Sequence, residues 1–430
     1  MKRWNKLQNA LIAALLVSTL LLTYIIWSYT MGTSGTGLLR RAFGVEEPES
    51  VRYAGYEELS YALRVITPLS CAVRDSEGSG LYGTADRETA SACFERVSSL
   101  LAEALEIAQT PRDAGLTEWR RALSGTMFFL DFGGEVPLST LARLLGAQAP
   151  DWLTADARYV AVCVQSGEAV LFYMTPDGTL NRCRTEADAD YLSTLTAEWT
   201  PNGYRFAYEE RLSEAADAML LMPSDTVPAL EMSNPLSTAA EADFDRILEG
   251  VLESLGFNAY RPSFYSESDG TRVYVEEERT LRANESGLVT YMAGLDAGKG
   301  TEPTAREKTA RIAEAAHLVS QIMTSYLGDA RLFLLDTEYH AETGQFTVRF
   351  GAECGGIRIL TRRGSVASLT FRDAALSAAE LELRTYRRNG TGVTVLPASQ
   401  ALAAAGGRRG LGLYYRVEDG TVKTGWYMGE

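Results

Sequence analysis

Few side chains in this chain could support catalysis or bind a metal, and they are scattered. The 430 residues include only two histidines, His317 and His340, and neither has a cysteine, histidine or carboxylate at the spacing of metal ligands. Two histidines exclude a multi-histidine zinc site and leave little room for Ser–His or Cys–His catalysis. We expect both to be surface residues.

Three short motifs could suggest a ligand, and each has a simpler interpretation. Gly78–Gly83 matches Gly-x-Gly-x-x-Gly, but no apolar strand leads directly into its first glycine, so we expect a glycine-rich hairpin loop. Gly406–Gly410 (GGRRG) could receive an anion, and we expect a solvated loop. The acidic run Val275–Arg279 would alternate between the two faces of a strand. We therefore assign no catalytic residue, cofactor site or metal site and do not expect an enzyme.

The cysteines do not form a dense disulfide pattern. Their number is odd, and none belongs to a Cys-x-x-Cys motif. An exported domain held together by disulfides usually has closely spaced cysteines. We therefore expect buried free thiols at Cys71, Cys93, Cys163, Cys183 and Cys354.

Composition and charge limit the function classes further. Lys plus Arg number 41 and Asp plus Glu 56, which gives a net charge of −15. An acidic chain is a poor nucleic-acid binder, because neutralising phosphates requires a basic surface. At about 150 residues per domain, the length predicts two or three domains.

The amino-terminal segment predicts a membrane anchor. Lys2, Arg3 and Lys6 precede an uncharged, largely apolar stretch, residues 7–30, which is long enough to span a bilayer. A cleaved signal peptide usually has a shorter apolar region that ends at a small-x-small site. The basic flank places the amino terminus in the cytoplasm and the rest of the chain outside.

One face of this anchor could bind another membrane helix. Ala10, Ala14 and Ser18 follow one another at four-residue spacing, and small residues in this pattern let two membrane helices approach closely. The alternative is a row of small residues that face lipid. We nominate these three residues as a transmembrane interaction site.

The rest of the chain reads as helices interleaved with antiparallel hairpins, which predicts the α+β class. Apolar periodicity predicts helices over 86–108 and 305–327, among others. The predicted organisation is an anchor region (1–32), a linker (33–50), an amino-terminal α+β domain (51–150), a central α+β domain (151–236) and a carboxy-terminal α+β domain (237–430).

Several segments together resemble the YycH family of Firmicute bacteria and its relative YycI. They are the basic start and the anchor ending LLLTYIIWSY, then SGTMFFLDFGGEVPLSTLARLLG (124–146), LESLGFN (252–258), TRVYVEEERTLRANESGLVTYMA (271–293), LPASQAL (396–402) and LGLYYRVEDGTVKTGWYM (411–428). The last segment departs from the family pattern, because Thr424 and Gly425 precede Trp426 where a proline is expected.

The resemblance implies one membrane helix, a multi-domain ectodomain whose last domain is YycI-like, and no catalytic residues. It also implies an accessory regulator of a WalK (YycG) type sensor histidine kinase, which controls cell-wall metabolism, with a YycI-like membrane protein as ectodomain partner. Two other classes stay open: an envelope-binding or scaffold module with a passive anchor, and an exported hydrolase that uses scattered carboxylates.

Overall fold

The structure is a computed structural model that describes residues 56–75, 80–210, 221, 226–238, 241–258, 263–294, 301–405, 411–418 and 420–428. Within these residues, helices pack on the faces of mainly antiparallel sheets, which confirms the predicted α+β class.

The first half of the chain builds a seven-stranded antiparallel sheet with strand order β2-β1-β4-β5-β6-β7-β3. The predicted boundary at residue 150 falls in the connection between β4 and β5, which are paired neighbours in this sheet. The division into domains stays a prediction. The strands are β1 Ser70–Arg74, β2 Tyr82–Thr84, β3 Arg112–Asp113, β4 Met127–Pro137, β5 Asp156–Gln165, β6 Glu168–Met174 and β7 Leu180–Arg184.

Helices cover both faces of this sheet, which explains why β4 is apolar almost throughout. Phe128 and Leu130 belong to the main core cluster, whereas Met127 and Phe129 belong to a second cluster on the other face, with Trp119. The helices are α1 Tyr56–Ile66, α2 Arg87–Glu106, α3 Leu116–Leu123, α4 Leu138–Leu144 and α5 Ala189–Thr196, followed by a 3-10 turn at Ala207–Glu210.

The second half contains an eleven-stranded sheet with strand order β20-β19-β15-β14-β16-β17-β12-β11-β10-β9, in which β13 also pairs with β14. Its one parallel pair among the described strands is β15 with β19. A separate two-stranded sheet joins β8 to β18. The strands are β8 Thr226–Ser233, β9 Ser263–Ser266, β10 Arg272–Glu276, β11 Arg279–Ala283, β12 Leu288–Ala293, β13 Arg331–His340, β14 Gln345–Cys354, β15 Ile357–Leu360, β16 Ala367–Arg372, β17 Ala375–Glu382, β18 Thr385–Thr394, β19 Leu411–Glu418 and β20 Thr421–Met428.

The long helix Ala305–Leu327 of the second half packs against the first half. It begins after a capping box formed by Thr304 and Glu307, and it ends at Gly328, which adopts a positive φ of 67°. Its buried face packs against α1 of the first half, and one cluster of buried apolar residues runs through both halves. The helices of the second half are α6 Pro235–Thr238, α7 Glu241–Ser254, α8 Ala305–Leu327 and α9 Ala398–Ala404.

Candidate functional site

The nominated interaction residues Ala10, Ala14 and Ser18 lie outside the described residues, as does the Gly406–Gly410 loop. The predicted anchor, residues 7–30, lies outside them too. In the part of the chain that the structure describes, no helix combines the length and apolar character needed to cross a bilayer.

The second half of the glycine motif has a structural role. β1 and β2 form an antiparallel hairpin, with Gly83 in its second strand. The Gly83 amide donates to the Asn202 side chain, and the Asn202 amide donates back to the Gly83 carbonyl oxygen. A Cβ at Gly83 would lie 2.6 Å from the Cβ of Tyr204. The glycine therefore lets the hairpin pack closely against the segment after α5.

The acidic run forms the turn of a hairpin. Glu276 ends β10 and pairs with Arg279, the first residue of β11, while Glu277 occupies the turn with a φ of 54°. Glu276 also accepts a hydrogen bond of 3.0 Å from the Asn258 amide. These contacts account for the run as local structure.

The histidine prediction holds for one residue and is wrong for the other. His340 is exposed at the end of β13, with its Nε2 3.5 Å from Glu338. His317 is half-buried, because the ring of Tyr61 from α1 packs edge-on against it at 4.9 Å between ring centres. The described residues contain no group of three side chains arranged to hold a metal ion.

The prediction of free thiols is wrong for two of the five cysteines. Cys71 of β1 and Cys93 of α2 form a disulfide, because this strand packs beneath that helix. Cys163, Cys183 and Cys354 are buried free thiols, as predicted. Burial raises the pKa of Cys183 to about 12, so this thiol is protonated and unreactive at neutral pH.

Polar and glycine residues of both halves come together where the halves pack against each other, and we call this region the joint. Its residues are Arg87, Gly134, Glu135 and Asp156 of the first half, and Leu334, Asp336 and Glu353 of the second half. Two β-bulges face each other there, one in β4 between Asp131 and Val136 and one in β13 between Leu334 and Asp336. A Cβ at Gly134 would overlap the Leu334 carbonyl oxygen, so only glycine allows this backbone contact.

A buried ion pair crosses the joint. The Arg87 guanidinium, at the start of α2, donates to the Glu353 carboxylate of β14 at 3.1 Å, and the two side chains are 7% and 1% exposed. Arg87 also donates to the carbonyl oxygens of Leu332 and Arg64, at 2.9 and 2.6 Å. Glu353 accepts a further hydrogen bond from the Gly356 amide at 2.8 Å. Burial lowers the pKa of Arg87, and the charge of Glu353 opposes this shift.

Three carboxyl groups also gather at the joint, from β4, β5 and β13. Burial raises the pKa of Asp156 to about 6, the negative charge of Asp336 adds to this shift, and Lys308 opposes it. Burial likewise raises the pKa of Glu135, and the negative charges of Asp336 and Asp156 raise it further. The pKa of Asp336 is raised by burial and held down in part by Arg349, which donates to it at 2.7 Å.

Sequence reasoning did not find the joint as a site, although one local signal was present. Two consecutive glycines in the apolar run MFFLDFGGEVP are typical of a bulge or a close backbone approach. The partners of Arg87 and of the clustered carboxylates come from distant parts of the chain. No local pattern identifies them.

Comparison with known proteins yields structural neighbours only. No family model matches the chain, and no curated protein matches it in sequence. The structure is similar to the crystal structure of YycH from Bacillus subtilis, with a TM-score of 0.49, 10% identity, and coverage of 88% of this chain and 99% of that chain. It also resembles an uncharacterized protein from Eubacterium rectale, with a TM-score of 0.32, 12% identity, and coverage of 48% and 77%.

Proposed function

We propose that this chain is a membrane-anchored accessory regulator of a sensor histidine kinase of the WalK (YycG) type. Its amino terminus is cytoplasmic, one helix spans the membrane, and the body acts outside the cell beside a YycI-like partner. The chain performs no catalysis; it changes the equilibrium of the kinase between signalling states.

The observation that carries this proposal is the position of residues 124–146, the longest unbroken segment of the amino-terminal domain with the family resemblance. This segment includes β4, the Gly133–Gly134 bulge and α4. It contacts β13 through the bulge and α8 through a 3.1 Å hydrogen bond between Thr140 and Thr309. This family-like segment therefore contributes some of the contacts that join the two halves into one packed body.

A packed body of this kind suits a regulator that transmits a contact rather than transforms a substrate. A partner that binds one half moves the other half with it, because the joint contains backbone contacts and a buried ion pair. The movement reaches the kinase through the anchor helix, where Ala10, Ala14 and Ser18 allow close helix packing.

The energy required is modest. A helix that packs better against one arrangement of the kinase helices favours that arrangement by its difference in affinity. A coupling of about 1–3 kcal/mol shifts the equilibrium between the two arrangements by roughly 5- to 150-fold.

The test is kinase autophosphorylation in liposomes with added full-length protein. Changing Ala10, Ala14 and Ser18 to leucine is expected to abolish the change in kinase rate. Thr19→Leu is the matched control, because position 19 lies about 180° around the helix from position 10. It is expected to retain the effect of the native chain.

Two outcomes contradict the proposal. If native protein leaves the kinase rate unchanged, this chain does not regulate that kinase. If an unrelated membrane helix in place of residues 7–30 preserves the full effect, the anchor is passive and the ectodomain supplies the regulation.

A further inference from the structure

A polar cavity of about 380 Å³ lies at the β6–β7–β3 edge of the seven-stranded sheet. Three arginines line it, in a chain whose net charge is −15. We call it the arginine cavity. Its lining residues are Arg112, Arg182 and Arg184, with Gln109, Thr110, Gln165, Ser166, Glu168 and Val170.

Two of these arginines are held close together at an electrostatic cost. Arg112 of β3 lies directly opposite Arg182 of β7 in the strand register. Like charges in such a cross-strand pair repel each other. Glu118 of α3 accepts hydrogen bonds from both guanidiniums, at 3.1 Å from Arg112 and closer from Arg182. One carboxylate therefore serves two cations.

Because of the third arginine, Arg184, positive charges outnumber negative charges in the cavity. The carboxylate nearest to Arg184 is that of Glu168, 3.9 Å away, which is too far for a hydrogen bond. Among the described residues, the Arg184 side chain makes no hydrogen bond. The Nε of Arg182 is buried and also has no hydrogen-bond partner in this part of the chain. The three guanidiniums of Arg112, Arg182 and Arg184 thus have two carboxylates near them, those of Glu118 and Glu168. Some of their N–H groups remain able to donate to a ligand.

We propose that the arginine cavity binds a small ligand that carries an oxyanion group, a phosphate or a carboxylate. Guanidinium forks bind both groups through paired, charge-assisted hydrogen bonds. The amide and hydroxyl groups of Gln109, Thr110, Gln165 and Ser166 can bind the rest of a polar ligand. A volume of about 380 Å³ lies near the lower end of the range for small-molecule sites.

The chemistry of the lining selects against other ligands. Apart from Val170, every lining side chain is polar or charged, so an apolar ligand would lose the hydration of these groups without replacing it. An oxyanion instead relieves the repulsion between Arg112 and Arg182 and pairs with the excess charge of Arg184.

The experiment is calorimetric titration of the full-length protein in detergent at constant ionic strength, because salt alone screens exposed arginines. The probes are inorganic phosphate, a glycerophosphodiester and citrate, which separate a free phosphate, a phosphate within a larger molecule and a polycarboxylate. The variants are Arg112→Gln and Arg184→Gln. Both native side chains are largely exposed, 64% and 65%, so these changes leave the fold intact.

The matched control is Arg363→Gln, which removes one charge from an exposed pair with Glu380 in the other sheet. We expect saturable binding of at least one probe, weakened roughly tenfold or more in each cavity variant and unchanged in the control. The probe that binds most tightly identifies the class of anion.

The proposal fails if none of the three probes binds saturably, or if the double variant Arg112→Gln, Arg184→Gln binds as tightly as the native chain. Neither outcome affects the regulatory proposal, which depends on the anchor and the joint.

Discussion

Replacing Arg87 by methionine tests how the two halves of the molecule are held together. Methionine fills part of the space but leaves the Glu353 carboxylate buried with one remaining donor, the Gly356 amide. Removing one partner from a buried ion pair costs about 3–5 kcal/mol. The carbonyl oxygens of Leu332 and Arg64 also lose a donor, which places the expected loss in the upper half of that range.

The matched control is Arg331→Met. Arg331 of β13 pairs with Glu88 of α2, so it connects the same region as Arg87, but the two side chains are 51% and 74% exposed. An exposed pair contributes about 1 kcal/mol or less. The assay is urea unfolding of the full-length protein in a mild detergent, followed by the fluorescence of its tryptophans. The free energies of unfolding of the variants are compared using the same m-value, the slope of the free energy against urea concentration.

A double variant separates the ion pair from packing. Glu353→Gln removes the buried charge that Arg87→Met leaves uncompensated. The Arg87→Met, Glu353→Gln protein should therefore lose less stability than the sum of the single variants, by about 1–3 kcal/mol. The reasoning is refuted if Arg87→Met costs no more stability than Arg331→Met. It is also refuted if the stability losses of Arg87→Met and Glu353→Gln simply add in the double variant.

Three further predictions concern the joint and the neighbouring core. The Asp156 pKa of about 6 exceeds its ordinary value near 3.8, so the stability from this carboxyl is complete below pH 4 and is lost as the pH rises through 6. Asp156→Asn should stabilise the protein by about 2–3 kcal/mol at pH 7.5 and not at pH 4 in thermal melts, and an equal gain at both pH values contradicts the assignment. Gly134→Ala should cost about 2 kcal/mol or more in urea unfolding, whereas Gly250→Ala, in the open interior of α7, should be neutral or stabilising. Reducing the disulfide between Cys71 and Cys93, which are 22 residues apart, should lower the free energy of unfolding by about 3 kcal/mol, and a melt unaffected by reductant speaks against the bond.

The elements with strong local signals could be predicted from the sequence. The helix predicted over 86–108 is α2, Arg87–Glu106, with Asp86 as its N-cap. The helix predicted over 305–327 has these same bounds in the structure, because Thr304 caps its start and Gly328 ends it. In both cases, the apolar periodicity and the terminal residues lie within one stretch of chain.

The joint could not be predicted because its contacts are not local. Arg87 and Glu353 are 266 residues apart, and each alone has the appearance of an ordinary charged residue in an amphipathic element. The disulfide escaped prediction for a related reason, since cysteine spacing does not reveal which strand lies beneath which helix. His317 occupies a position that the helical pattern assigns to solvent, but α1 covers it.

The distance along the chain between the two sides of the joint also determines when the molecule can become complete. Synthesis proceeds from the amino terminus at about 5–20 residues per second, so Glu353 follows Arg87 by tens of seconds. Once Arg184 has been added, all strands of the seven-stranded sheet are present, while the face of α1 that packs on α8 still lacks its partner and the Arg87 cation still lacks the Glu353 carboxylate. The nascent first half is thus the species most exposed to aggregation and to chaperone capture, and closure of the joint is a late step in the maturation of this protein.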